Sequence, residues 1–397
     1  MNFSKKILEI KESPIRKLVP LALNVISNGG KVIYLNIGQP NLETPEVFFK
    51  AIKSFESKIL SYSSSRGHQP LIDSIIHHYR LNNISLESEN ILVTSGASEA
   101  INFGLSIICN PDDEILVPEP FYANTATFIK KVEAILVPIP TYEIDGYHLP
   151  NASKIQQLIS SKTKAIFITN PNNPSGTVYS LRELMMISEL AIKNDLFIFS
   201  DEVYSSIVFD KLHFHSFGAI KQVYDRVILI DSVSKRFSSC GARIGALISK
   251  NKSFMNHAIK LAQARLSVST TDQVGATELF KIQFGYHQDI KTIYESRRNF
   301  VLKELHSISD ISFTKPEGAF YILITLPVQD AEHFASWLLI NFRINNETLF
   351  VAPARDFYSE TNNVNNQIRL AFVQDQDTLK RAINILKEGL IAYQDNN

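Results

Sequence analysis

A mostly parallel sheet covered by helices on both faces, followed by a smaller α/β domain, is the fold class this sequence predicts. Three observations carry that prediction. Seven short, β-branched, apolar runs recur between Ile91 and Ser249. Helix-like stretches separate them, and beyond about Gly285 the pattern changes to longer amphipathic segments. Strands that are apolar on both sides must be covered on both sides, and strands alternating with helices build parallel sheets.

The seven runs, in order, are Ile91–Thr94, Ile115–Val117, Ile135–Val137, Ala165–Thr169, Leu196–Ser200, Val227–Asp231 and Ile244–Ile248. One or two could instead be buried helices without altering the class. The stretch Tyr294–Leu305 predicts an amphipathic helix, followed by a strand over Ala319–Thr325 and a helix around Trp337. Strands at Leu349–Ala352 and Ile368–Val373 and a closing helix from Asp377 to about Tyr393 complete the second domain. The polar stretch Ser359–Asn366 reads as a surface loop. The division expected is an N-terminal arm (1–40) joining the small domain, a large domain (41–289) and a small C-terminal domain (290–397).

Composition narrows the function. At 397 residues the chain can bury a large core. Forty basic and forty acidic side chains cancel, which argues against nucleic acid or an acidic membrane as partner. No apolar run approaches the roughly 18–20 residues that span a bilayer. Charges at Lys5, Lys6 and Glu9 interrupt what a signal peptide would need as its apolar core. Cys109 and Cys240 are too few for a disulfide framework or a zinc cluster, and a cytoplasmic location is expected.

The chemistry gathers at strand ends, where parallel sheets keep their binding sites. Lys235 stands in Asp231-Ser-Val-Ser-Lys-Arg, directly after a strand, with Ser232 and Arg243 close in sequence. An amine among phosphate-binding groups suggests a covalent bond to a phosphorylated aldehyde cofactor. The segment Thr94-Ser-Gly-Ala-Ser98 leaves a strand and opens a helix whose free N–H groups can hold an anion at Ala97 and Ser98; the alternative is that Ser95 simply caps the helix. Two Asn-Pro pairs in Thr169–Gly176 predict an irregular loop, with cis prolines conceivable and Asn173 as a donor to a phenolate-like oxygen. Asp201, just past another strand, needs a cation if it is buried and ionised; a pyridinium N–H would serve. Tyr204 follows one helical turn later and could bond the same ring's oxygen. Tyr122 could stack on a heteroaromatic ring, although core packing is the commoner use. Arg369 is a charge in an apolar strand, suited to a carboxylate held bidentately.

Taken together, these motifs resemble class I/II pyridoxal-phosphate-dependent aminotransferases of fold type I, the aspartate aminotransferase-like group. The likeness runs from about Tyr34 to Tyr393, and Leu35-Asn-Ile-Gly-Gln-Pro40 and Cys240-Gly-Ala-Arg-Ile-Gly245 add to it. The resemblance implies Lys235 as the lysine that bonds the cofactor aldehyde and acts as base and then acid. It implies Asp201 at the pyridine nitrogen, Asn173 and Tyr204 at the 3-oxygen, and Tyr122 on the ring. Gly96, Ala97, Ser98, Ser232, Ser234 and Arg243 would hold the phosphate. Arg369 would take the substrate α-carboxylate with Asn173 and the Gly38 backbone. Tyr62 would cross a homodimer interface to the partner's phosphate.

Some positions depart from that pattern. His68-Gln-Pro stands where Leu-Arg is usual, Ala354 where glycine is common, and Ser98 where some aspartate-specific relatives carry a lysine. Arg265, Arg66 and Arg355 are therefore candidates for a distal carboxylate, each more naturally a structural arginine. An acidic amino acid with 2-oxoglutarate is the leading substrate expectation, ahead of aromatic or neutral donors. The rival readings are a lyase using the same cofactor, a ligand-binding regulator on this fold, and a nicotinamide oxidoreductase. The last lacks any Gly-x-Gly-x-x-Gly after a strand.

Overall fold

The computed structural model describes residues 2–8, 10–13, 15–282 and 284–395. Strand β1 (Lys31–Tyr34) stands apart from the main sheet. Each of the seven apolar runs becomes a strand: β2 (Ile91–Thr94), β3 (Glu114–Glu119), β4 (Ile135–Pro140), β5 (Thr163–Thr169), β6 (Phe197–Asp201), β7 (Val227–Ser232) and β8 (Gly245–Ile248). They form one sheet in the order β2-β8-β7-β6-β5-β3-β4. Only β8 runs against its neighbours; the other pairings are parallel. The apolar residues of this sheet enter two cores, one on each face. Ile166, Ile168 and Ile198 pack into one, and Phe167, Phe199 and Ile228 into the other. Alternation along each strand thus feeds both layers, the reason these runs are apolar throughout.

The second part of the chain contributes β9 (Tyr321–Thr325), β10 (Glu347–Phe350), β11 (Ala352–Pro353) and β12 (Gln367–Ala371). The run expected as one strand over Leu349–Ala352 is two. β10 pairs parallel with β1, whereas β11 pairs antiparallel with β12, so the chain changes partners at Val351. The predicted helix at Tyr294 is the second half of a longer one, Phe284–Leu305, whose Tyr294, Val301 and Leu305 are fully buried. The helix around Trp337 spans Ala331–Asn341 and the closing helix Gln376–Asp395. Residues 359–366 are a loop, as their composition predicts.

Strand register delivers the chemistry. Thr169 and Asp201 are paired at the carboxyl ends of β5 and β6, and β7 ends one strand further on at Ser232. In a parallel sheet those ends all open on one side, and three of the sequence-predicted groups emerge there together.

Candidate active site

A cavity of about 710 Å³ opens over these strand ends. Lys235 reaches it from the four-residue helix Val233–Arg236, which Ser232 caps by accepting from Ser234 N. Its Nζ donates to the Gly38 carbonyl at 2.6 Å and lies 3.7 Å from Cys240 Sγ. Gly38 must be glycine for steric reasons: a Cβ there would stand 1.7 Å from the Tyr321 hydroxyl oxygen.

Asp201 lines the same cavity and is 7% exposed. Its carboxylate accepts a hydrogen bond from Val203 N at a long 3.4 Å. Burial pushes its carboxyl up to about 7; the Val203 bond pulls the other way, Asp231 adds to the rise, and Lys235 partly offsets it. A carboxylate in this state is poised for a cation that the protein itself does not place beside it.

Asn173 and Arg369 come together as predicted. Arg369, 1% exposed, donates from Nη1 to Asn173 Oδ1 at 2.9 Å, and from Nη2 to the Asn36 carbonyl at 2.5 Å. Its Nε has no partner among the described residues. A buried guanidinium with a spare donor calls for an anion, since an unmet buried donor costs about 1–3 kcal/mol. The loop that carries Asn173 has cis peptides at Asn170–Pro171 and Asn173–Pro174.

Tyr204 also lines the cavity, but the chain there makes a turn over residues 203–206 and not the expected helical turn. Its hydroxyl shares a 2.8 Å hydrogen bond with Tyr321. Tyr122 borders the cavity too, with its hydroxyl accepting from Asn124 Nδ2 at 2.8 Å.

The groups expected to bind phosphate lie around the start of the helix Ala97–Ile108. Ser95 does not cap it: Gly96 is the N-cap at φ 74°, no side chain bonds the first turn, and Ser95 N donates to Glu99. A Cβ on Gly96 would meet Arg243 Nη2 at 2.4 Å, so glycine lets the guanidinium lie over the helix start. Arg243 itself sits in the left-handed region and bonds the carbonyls of Cys240 and Ser95. Ala97, Ser98, Ser232 and Ser234 complete this corner of the cavity.

Four sequence candidates lie elsewhere. Tyr62 is 79% exposed and away from the cavity of its own chain. Arg66 bonds the carbonyls of Glu89 and Ile91; Arg265 bonds Val93 O and faces Glu99 at 3.7 Å; Arg355 bonds the carbonyls of Ser359 and Glu360. Backbone carbonyls thus hold each of the three arginines nominated for a distal carboxylate, although Arg265 Nε and Nη1 keep no hydrogen-bond partner among the described residues, and none of the three lines the cavity. Sequence reading missed Arg16, Asn36 and Tyr321. Arg16 and Tyr321 line the cavity; Asn36 ties it to the N-terminal arm, donating from Nδ2 to Ile15 O at 2.7 Å. The signal for Tyr321 was an aromatic opening a strand after Gly318, and that for Asn36 its place in Leu35-Asn-Ile-Gly-Gln-Pro40; Arg16 carried none.

Behind the site lies a second cavity of about 750 Å³, lined by His78, Glu202, Arg236 and His287 among others. Burial holds His78 down to about 2 and His287 to about 4, so both are neutral, and Arg236 is paired with Asp231 at 2.8 Å. Among the described residues that line this cavity, the one lysine, Lys281, is paired with Glu278.

An aromatic ring bearing a pyridine nitrogen, an aldehyde and a phosphate matches the main cavity group by group. The uncompensated Asp201 suits the ring nitrogen, the Lys235 amine suits the aldehyde, and the crowded Gly96–Arg243 corner suits the phosphate. Fold and cavity therefore define an α/β enzyme that holds a phosphorylated pyridine aldehyde. The family model for aminotransferase class I and II matches residues 30–386, and the chain belongs to that family. Its fold is fold type I, its cofactor is pyridoxal 5′-phosphate, and its reaction class is transamination. It is 28% identical, over 97% of its length and 99% of the relative's, to a probable aspartate aminotransferase of Methanocaldococcus jannaschii. It is 29% identical to aromatic-amino-acid aminotransferase 2 of Thermococcus litoralis, covering 81% of this chain and 82% of the relative. Among solved structures, an alanine aminotransferase from Pyrococcus furiosus superposes with a TM-score of 0.89 at 28% identity, over 98% of this chain and all of that one.

Proposed function

We propose that this chain moves the amino group of an L-amino acid, with aspartate or another acidic donor leading, to a 2-oxo acid such as 2-oxoglutarate. The observation that carries this is the buried Arg369 with its unpartnered Nε, in one cavity with the Lys235 amine. Pyridoxal phosphate, when bound, supplies an electron sink for the charge left at the substrate's α-carbon. The protein's part is positional. Arg369 and Asn173 hold the α-carboxylate, with the Gly38 backbone beside it. That grip points the α-hydrogen at Lys235 Nζ, which removes the proton as base and returns one as acid. Asp201 stays ionised against the ring nitrogen, Asn173 and Tyr204 hold the 3-oxygen, and Tyr122 covers the ring. Gly96, Ala97, Ser98, Ser232, Ser234 and Arg243 anchor the phosphate.

The assembly belongs to the same proposal: a cytoplasmic homodimer in which Tyr62 of each chain completes the partner's phosphate site. Its exposure and its distance from its own cavity support that assignment. The units proposed are an arm (1–40), a large domain (41–289) and a small domain (290–397). In support, the arm's Ile33 and Leu35 share a core with Leu349 and Phe350. The helix Phe284–Leu305 runs across the later boundary. Among the described residues no helix is long and apolar enough to cross a membrane.

The test is a half-reaction. Amino acids added singly to the cofactor-loaded protein should shift its visible absorption and release the matching 2-oxo acid. Release of ammonia with pyruvate instead would replace transamination by elimination. Hydride reduction and peptide mapping should find the label on Lys235; a label elsewhere overturns the assignment.

A further inference from the structure

The cavity contains a cation that none of the roles above uses. Arg16 lines it together with Lys235, Arg243 and Arg369. Those three have proposed partners in the cofactor aldehyde, the phosphate and the α-carboxylate. Arg16 has none among the described residues, where its guanidinium makes no hydrogen bond or ion pair, whereas Arg66 and Arg355 bond backbone carbonyls and Arg265, bonded to Val93 O and facing Glu99, lies outside the cavity.

Both neighbours of Arg16 are fixed. The Ile15 carbonyl accepts from Asn36 Nδ2 at 2.7 Å, and the Asn36 carbonyl in turn accepts from Arg369. On the other side, Lys17 is paired with Glu332 and lies 3.4 Å from Asp356. Arg16 is therefore carried on a segment tied directly to the residue proposed to hold the α-carboxylate. Its charge is felt at the Tyr122 hydroxyl, placing it on that side of the cavity. Ser98, which lines the same cavity, carries no charge.

We infer that Arg16 is the specificity-determining residue of this site and binds the side-chain carboxylate of a dicarboxylic amino acid or 2-oxo acid. The inference rests on the transaminase reading above. Two guanidiniums in one cavity, the buried Arg369 and the exposed Arg16, match a substrate with two carboxylates. A contact made equally to the bound substrate and to the transition state appears in KM more than in kcat.

Half-reaction kinetics of the holoenzyme test it, comparing aspartate and glutamate with alanine and phenylalanine in wild type, Arg16→Gln and Arg16→Lys. The expected result is a fall of about 10- to 100-fold in the ratio of kcat/KM for dicarboxylic over neutral donors in Arg16→Gln. KM should carry the change, and Arg16→Lys should restore part of it. Inhibition by maleate, a dicarboxylate that cannot react, should weaken in parallel. An equal loss for all four donors, or an unchanged ratio, overturns the role of Arg16. A wild type that accepts only neutral donors overturns it as well, and leaves transamination standing. A wild type that accepts no donor at all removes the transaminase reading, and this inference with it.

Discussion

Gly38 and Tyr321 occupy the same space in turn: the hydroxyl of Tyr321 lies where a side chain on Gly38 would begin, at 1.7 Å from the ideal Cβ. That hydroxyl is also bonded to Tyr204, and the Gly38 carbonyl holds Lys235 Nζ. A methyl group at Gly38 would push Tyr321 off Tyr204 and shift the carbonyl from the lysine. Gly38→Ala is therefore expected to lose about 1–3 kcal/mol of stability through overpacking. It should also weaken cofactor retention. Denaturant unfolding and cofactor titration of the purified variant check both; an unchanged midpoint would show that the arm can move aside.

Asp201 predicts a pH dependence specific to the cofactor-free protein. Its folded pKa, near 7, lies above the ordinary carboxylate value because burial penalises its charge. Between those two values the folded state binds more protons than the unfolded state, so stability falls as pH rises through that interval. Asp201→Asn removes the buried charge. The cofactor-free variant should be more stable than the wild type at pH 8, on the order of 2–4 kcal/mol, and equal to it near pH 4. Its affinity for pyridoxal phosphate should drop, because the ring nitrogen loses its counter-charge. Thermal unfolding across pH, with and without cofactor, measures both, and a difference that stayed flat with pH would count against burial as the cause.

His148 has the same sign of pH slope, since its folded pKa is also raised, but here it is the charged form that the fold favours. Its Nδ1 lies 3.1 Å from Glu183 and its Nε2 3.4 Å from Glu317, joining the start of the helix Leu181–Lys193 to the segment before β9. Hydrogen bonds to Glu183 and then Glu317 raise it to about 10, against burial. A raised histidine stabilises fully below its unfolded pKa and loses that contribution as pH climbs through the folded one. With about a third of its side chain exposed, the linkage is worth roughly 1 kcal/mol after solvent screening. His148→Gln should cost that much at pH 6 and nothing measurable above pH 10.5. A cost independent of pH would mean that packing, and not charge, is what His148 supplies.

How far the sequence reaches is clear from particular residues. β5, β6 and β7 were legible because each is a continuous β-branched run, and parallel topology then forces their carboxyl ends to one side. Lys235, Asp201 and Asn173 were legible for the same reason, since each follows such a run directly. Arg16 was not, because what places it is a chain of contacts through Asn36 to Arg369 that joins residues more than 300 positions apart. Nor was the split between β10 and β11: local apolarity reports burial and is silent about which neighbour a strand will choose. The alternative that Ser95 caps its helix fails for a local reason. Serine suits a helix cap, but Gly96 at positive φ takes that position and leaves the first turn open.

Tyr62 supports a prediction about assembly. If each chain supplies this tyrosine to its partner's phosphate, two different lesions should complement. A chain carrying Lys235→Ala has a dead site of its own but can still donate an intact Tyr62. A chain carrying Tyr62→Ala keeps its lysine and lacks only what its partner provides. Mixed dimers then contain one native site and one site with both lesions. Loss of a single charge-assisted bond to phosphate costs about 1.5–3 kcal/mol, so the Tyr62→Ala parent should be deficient when cofactor is limiting. Under that condition, unfolding and refolding the two variants together should restore activity towards half the wild-type value per mixed dimer, above the sum of the parents. Activity equal to that sum would place Tyr62 outside the partner's site.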